Sequence, residues 1–184
     1  PDPNKVRENI GKPLATALDA YAPKGYEVNP EMISNAYRKW YAEQGRLGLQ
    51  DEPLYPGMVK LIHYLKSNKE FIIGVATNKS RIALNNGLKK HNLNEVFDIT
   101  LTMEEAKPKP DPDMAIQAMS KFNIEKKLTV IVGDTINDIG LGVNAGINSI
   151  GVAWGYNSIQ MLRNEGADYI VKNSKELFDA ISSL

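Results

Sequence analysis

Val130-Ile131-Val132-Gly133-Asp134-Thr135-Ile136-Asn137-Asp138 decides the reading of this chain. An apolar run reads as a buried strand that stops at Gly133. Asp134 then stands at the strand's C-terminal end, and Asp138 in the first turn of the next helix. In open α/β sheets, ligands bind in the crevice outside the carboxyl ends of the strands. Two carboxylates there suit a hard cation such as Mg2+, which prefers oxygen ligands and keeps waters and substrate phosphate in its shell. The helix dipole alone accounts for Asp138 but not for Asp134.

The pattern alternates on both sides of this stretch. Met58, Leu61, Ile62 and Leu65 mark a helix, and Phe71 to Ala76 a buried strand. A helix is expected over 82–91, a short strand over 96–101, and a helix capped by Asp111-Pro112 that runs to Phe122. Strands follow over 128–132, 149–154 and 168–171, with helices over 139–145 and 174–184. Strands alternating with helices predict a Rossmann-like parallel sheet covered by helices, an α/β fold. Upstream, Asn29-Pro30-Glu31 is a helix start, and Met32, Ile33, Ala36, Tyr37, Trp40 and Tyr41 keep helical spacing. Gly45 to Asp51 reads as a loop, and Pro53-Leu54-Tyr55-Pro56-Gly57 as a stiff connector. The expected domains are a helical segment over 1–53 and an α/β core over 54–184.

At 184 residues the chain has room for one medium domain plus a small accessory one. Lys+Arg and Asp+Glu balance at 22 each, so no basic excess points to nucleic acid or an anionic membrane. The sequence has no cysteine, which removes disulfides, thiolate zinc sites and cysteine nucleophiles, and fits a cytoplasmic location. No apolar stretch approaches the roughly 18 residues of a membrane span.

Two further polar clusters accompany Asp134 and Asp138. Thr77-Asn78-Lys79-Ser80 follows the strand that ends at Ala76. A hydroxyl and an amide beside a helix N-terminus can grip a phosphate oxygen, although both residue types are also ordinary helix caps. Lys107-Pro108-Lys109-Pro110-Asp111-Pro112 is a loop stiffened by proline, able to hold a lysine toward a phosphate or a carboxylate. For Lys109 the preferred reading is a solvated basic turn.

The order of these clusters closely resembles the haloacid dehalogenase-like hydrolase superfamily, in its phosphoglycolate-phosphatase-like branch. Ile10-Gly11-Lys12-Pro13-Leu14 looks like part of that branch's helical cap, Tyr55-Pro56-Gly57 like the return to the core, and Val152-Ala153-Trp154-Gly155-Tyr156 like a common loop. The resemblance implies Mg2+-dependent hydrolysis of a small phosphorylated metabolite through an aspartyl-phosphate. It implies that Thr77 and Asn78 bind the phosphate. Lys107 would neutralise phosphate and nucleophile, Asp134 would bind the metal, and Asp138 would be a second carboxylate acting through a water or through Lys107. Such a set makes physical sense, because phosphoryl transfer is mostly positioning and charge neutralisation.

One departure is serious. The family's first motif, Asp-x-Asp-Gly-Thr, supplies the attacking carboxylate, and no such sequence occurs here. Asp2-Pro3-Asn4 is no match, since no apolar strand precedes it. In the family the first strand lies mid-sheet, between those expected here over 71–76 and 128–133. The sequence thus predicts a core without its first strand, two strands without a ladder partner, poor stability in isolation, and an inactive chain. The alternatives are a phosphate-binding or regulatory module without a nucleophile, and a phosphomutase of the same fold.

Other patterns carry less. Gly140-Leu141-Gly142-Val143-Asn144-Ala145 fits a dinucleotide-binding pattern but lies within a helix, and Gly74 to Ser80 lacks the second glycine of a P-loop. His91 suits a helix C-terminus, and His63 the edge of an apolar stripe. Tyr37, Trp40 and Tyr41 are expected to pack in a helical core rather than line a pocket.

Overall fold

The computed structural model describes residues 9–12, 16–17, 21, 29–47 and 52–184. The expected cap segment 10–14 and loop 45–51 fall partly outside these residues, and Asp2-Pro3-Asn4 wholly so. The chain divides into two compact units, Pro1–Leu54 and Tyr55–Leu184.

In the first unit, α1 (Pro30–Arg46) begins where the sequence indicates. The Asn29 side chain accepts the N–H groups of Glu31 and Met32 at 3.0 and 3.1 Å, satisfying two orphan donors of the first turn. The helix runs through Gly45 and Arg46, so the expected loop starts later. Tyr37 stacks on Tyr41 and tilts against Trp40, with ring centroids 6.0 and 5.8 Å apart. Tyr37 and Trp40 are exposed rather than packed in a core. Helical spacing identifies an apolar stripe but not what covers it.

The second unit runs α2 (Met58–Ser67), β1 (Gly74–Thr77), α3 (Arg81–Lys90), β2 (Ile99–Thr102), α4 (Asp113–Phe122), β3 (Val130–Gly133), α5 (Ile136–Ala145), β4 (Asn148–Val152), α6 (Ile159–Glu165), β5 (Tyr169–Val171) and α7 (Ser174–Ser182). All strand pairs are parallel. Two corrections concern short elements. Helix α6 was not expected; it is capped by the Ser158 hydroxyl and stops at Gly166, whose φ of 106° suits glycine. Helix α4 has Pro112 rather than Asp111 as its cap residue, while Asp111 Oδ1 still accepts the Asp113 N–H at 3.0 Å.

The described strands form two sheets, β1-β2 and β3-β4-β5. The break falls between β1 and β3, where the family resemblance leads one to expect a further strand. Both sheets share their apolar cores. Ala76, Ile99, Leu101 and Ile131 pack with Met114, Met119 and Leu141 of α4 and α5. Ile73, Val130, Val132, Ile150 and Val171 pack with Leu61, Leu65 and Leu177 of α2 and α7. Ile150 of β4 is fully buried, whereas every residue of β3 is only half-buried, as expected of a strand paired on one side. The outer edge of β2 is closed by side chains. Arg81 Nη2 donates to the Thr100 carbonyl at 2.9 Å, and the Thr102 N–H donates to Glu105 Oε2 at 2.8 Å. Such capping keeps an edge strand from pairing elsewhere.

Candidate active site

Strand β1 ends at Thr77 and strand β3 at Gly133, so the polar clusters that follow them sit at the carboxyl ends of parallel strands. The turn after β3 is built by a capping box. Thr135 Oγ1 accepts the Asp138 N–H at 3.4 Å, and Asp138 Oδ2 accepts the Thr135 N–H at 3.0 Å and the Thr135 hydroxyl at 2.7 Å. Asp138 is therefore buried at the third position of α5. Gly133 makes room for it, because a Cβ at that position would overlap the Asp138 side chain.

The other Asp138 oxygen belongs to Lys109. Lys109 Nζ donates to Asp138 Oδ1 at 2.5 Å and to the Ala76 carbonyl at 2.8 Å. Both side chains are nearly inaccessible, at 11% and 9% exposed. One ammonium group thus bridges the end of β1 and the helix that follows β3. Lys107 is elsewhere: its side chain is 74% exposed and lies 3.8 Å from Asp111. The expectation that Lys107 points inward and Lys109 into solvent is reversed. Asn78 explains how the loop is held. Its Nδ2 donates to the Lys109 carbonyl at 3.1 Å, and its Oδ1 accepts the Lys109 N–H at 2.8 Å. Asn78, expected on a phosphate, grips this loop. Thr77 Oγ1 accepts the Lys79 N–H at 3.1 Å and is half-buried.

Asp134 lies beyond the last residue of β3. Its Oδ2 accepts the Tyr156 N–H at 3.0 Å. Burial holds its carboxyl above the usual aspartate range, and the neighbouring Asp138 charge pushes the same way, against the Tyr156 N–H. Tyr55, also raised by burial, feels the Asp134 charge and that of Tyr156. Asn137 adds a buried side-chain Nδ2 with no hydrogen-bond partner among the described residues. An unpaired buried donor costs about 1–3 kcal/mol, and a ligand or water relieves that cost.

Among the described residues no three His, Asp or Glu side chains converge as a ready metal cluster. Asp138 is committed to Lys109 and Thr135, and the neighbouring Asp134 is a carboxylate that could hold a metal. Mg2+ is commonly held by one or two carboxylates together with water and substrate phosphate.

Together these features place an ammonium, a hydroxyl, a helix N-terminus and an acidic group at the carboxyl ends of β1 and β3. The sequence profile of the haloacid dehalogenase-like hydrolases matches residues 1–152. The chain belongs to that family. It is 30% identical over 186 residues to a probable phosphatase, IndB, of Dickeya dadantii, covering 100% of this chain and 80% of that protein. It is 31% identical over 170 residues to the pyrophosphatase PpaX of Bacillus velezensis, covering 91% of this chain and 74% of that one. A solved structure, a predicted phosphoglycolate phosphatase from Haemophilus somnus 129pt, superposes with a TM-score of 0.81 at 23% identity, covering 96% of this chain and 81% of the other. That likeness supports the α/β fold.

Proposed function

We propose that this chain has the framework of a cytoplasmic, Mg2+-dependent phosphatase that hydrolyses a phosphate monoester of a small metabolite through an aspartyl-phosphate. Phosphoglycolate-like substrates are the class we favour. The observation that carries the reading is the Lys109 ammonium, shared between the Ala76 carbonyl and Asp138. It places a buried positive charge at the strand ends, where a transferring phosphoryl group needs neutralisation.

In this reading Lys109, not Lys107, holds the phosphate and the attacking carboxylate. Thr77 Oγ1 donates to a phosphoryl oxygen. Asn78 fixes the Lys109 loop, and Asp138 orients the ammonium. Asp134 would hold Mg2+, which supplies charge neutralisation on the phosphate oxygens. By the same family resemblance, residues 1–53 would serve as the helical cap. The nucleophilic aspartate comes from a strand that fits between β1 and β3 and is not among these residues, so the 184-residue chain alone does not turn over substrate.

The test is hydrolysis of a generic phosphomonoester with and without Mg2+. Measured are this chain, a chain extended at its N-terminus by a relative's Asp-x-Asp strand, and the Asp134→Asn variant of that extended chain. Turnover only in the extended chain, dependent on Mg2+ and lost with Asp134→Asn, is the expected result. Metal-dependent turnover by the 184-residue chain overturns the missing-nucleophile assignment. The lack of an Asp-x-Asp-Gly-Thr motif also favours a second reading, a phosphate-binding module without turnover. Binding of inorganic phosphate with no turnover in either chain would select it.

A further inference from the structure

The loop that leaves β4 at Val152 reaches back to Asp134 with successive groups. The Tyr156 N–H donates to Asp134 Oδ2 at 3.0 Å. The Asn157 N–H donates to the Asp134 carbonyl at 3.1 Å. The Asn157 side chain then turns to the next peptide, and its Oδ1 accepts the Ile136 N–H at 2.8 Å. Asn157 is 5% exposed, unusual for asparagine, and the burial is matched by these bonds. Gly155 completes the contact. A Cβ there would overlap the Asp134 carboxylate, so the loop backbone lies directly against that group.

Helix α5 thus has two caps from two parts of the chain. Thr135 satisfies the Asp138 N–H from within, and Asn157 satisfies the Ile136 N–H from the loop that follows the neighbouring strand β4. Strand β3 fixes Asp134 only from its N-terminal side. The Asn157 pair of bonds fixes the peptide on its C-terminal side, and this sets the direction in which the side chain leaves the backbone.

We propose that Asn157 is a positioning residue for Asp134: it locks the β4–α6 loop to the turn after β3 so that the Asp134 carboxylate keeps one orientation toward its cation. The consequence for a cation rests on the proposed reading of Asp134 as a metal ligand. The locking itself rests on the hydrogen bonds alone. Groups that orient a metal ligand from behind typically change affinity by about 10–100-fold when removed.

The experiment uses the 184-residue chain with Mn2+ as the probe, read by electron paramagnetic resonance, together with amide hydrogen exchange. Asn157→Ala should weaken Mn2+ binding by about tenfold or more and raise exchange at Ile136 and Tyr156, while the β3–β4 ladder amides keep their protection. Asn157→Asp retains the acceptor oxygen and should restore protection at Ile136, which a general loss of packing would not do. Wild-type Mn2+ affinity and wild-type exchange at Ile136 in Asn157→Ala would overturn the proposal. If Asp134→Asn leaves Mn2+ binding unchanged, the metal reading fails, and exchange at Ile136 and Tyr156 then decides the positioning role. Should Asn157→Ala not fold, scalar coupling across the hydrogen bond between the Ile136 nitrogen and Asn157 Cγ in the wild-type chain decides: its presence supports the lock and its absence refutes it.

Discussion

Asn78 and Lys109 exchange two hydrogen bonds across 31 residues: Asn78 Nδ2 donates to the Lys109 carbonyl, and the Lys109 N–H donates to Asn78 Oδ1. A side-chain amide here imitates a strand partner for one residue of a proline-rich loop. Both Lys109 backbone groups are thereby satisfied where the prolines on either side have no N–H to offer. Replacing Asn78 by Ala removes both bonds. At about 1 kcal/mol each, the expected loss is about 2 kcal/mol of stability, read as a lower urea midpoint at unchanged slope. A loss under about 0.5 kcal/mol, the scale of an ordinary surface substitution, would mean the loop holds itself.

The two lysines of that loop should behave very differently. Lys109→Met leaves Asp138 buried without its cation, and breaking a buried pair in this way costs about 3–5 kcal/mol. Lys107→Met touches an exposed pair at 3.8 Å and should change stability by less than about 0.5 kcal/mol. Urea unfolding of both variants checks the ratio, and equal effects would contradict the observed burial.

That contrast also shows what the sequence reveals. The order of clusters along the chain was legible, because each follows an apolar strand and the strand ends converge. The helix start at Asn29 and the break in the sheet were legible for the same reason: cap chemistry and strand count are local. Which lysine turns inward was not. Residues 107 and 109 are two apart in an extended loop, and alternate side chains of extended chain share a face, so spacing gives both the same orientation. The choice is made by Asn78, 31 residues upstream. Asn157 was hidden similarly. It sits in the unforeseen turn before α6, and only the fold brings it to Ile136.

Glu105 offers a pH test. Arg81 chiefly, then the Thr102 hydroxyl and N–H, hold its carboxyl down at about 2. Arg81 meets it through Nε at 3.0 Å and Nη2 at 2.9 Å. Since the folded value lies below the ordinary value of 4.5, the folded state gains stability above about 4.5, and this gain is lost as pH falls toward 2. The group is 37% exposed, so solvent screening keeps the gain modest. Melting temperature followed from pH 6 downward should fall less steeply in Glu105→Gln than in the parent chain. Parallel curves would show that the pair adds nothing.

Gly133→Ala tests how tightly the turn after β3 is built. The added methyl meets Asp138 rather than a flexible chain end. Asp138 cannot give way without losing its bonds to Thr135 and Lys109. Overpacking of this kind costs about 1–3 kcal/mol. In the double variant with Lys109→Met the cost should be smaller, since the carboxylate is then freer to move. A thermodynamic cycle measured by urea unfolding would show additivity instead if the glycine were merely incidental.

The open side of β1 is the last test. The Ile73 carbonyl accepts the Asp98 N–H at 2.8 Å, so it faces β2. Alternation along a strand then turns Val75 and Thr77 toward β2 and Ala76 away from it. The Lys109 ammonium on the Ala76 carbonyl agrees with that direction. The Ala76 N–H therefore points into the break between the two sheets, where the described strands offer it no ladder partner. Its hydrogen exchange should be at least about tenfold faster than that of Val75, because a strand edge opens without global unfolding. In a longer chain whose added strand lies between β1 and β3, the difference should vanish while Val75 stays as protected as before. Equal protection at both positions in the 184-residue chain would show that something within these residues already fills the break.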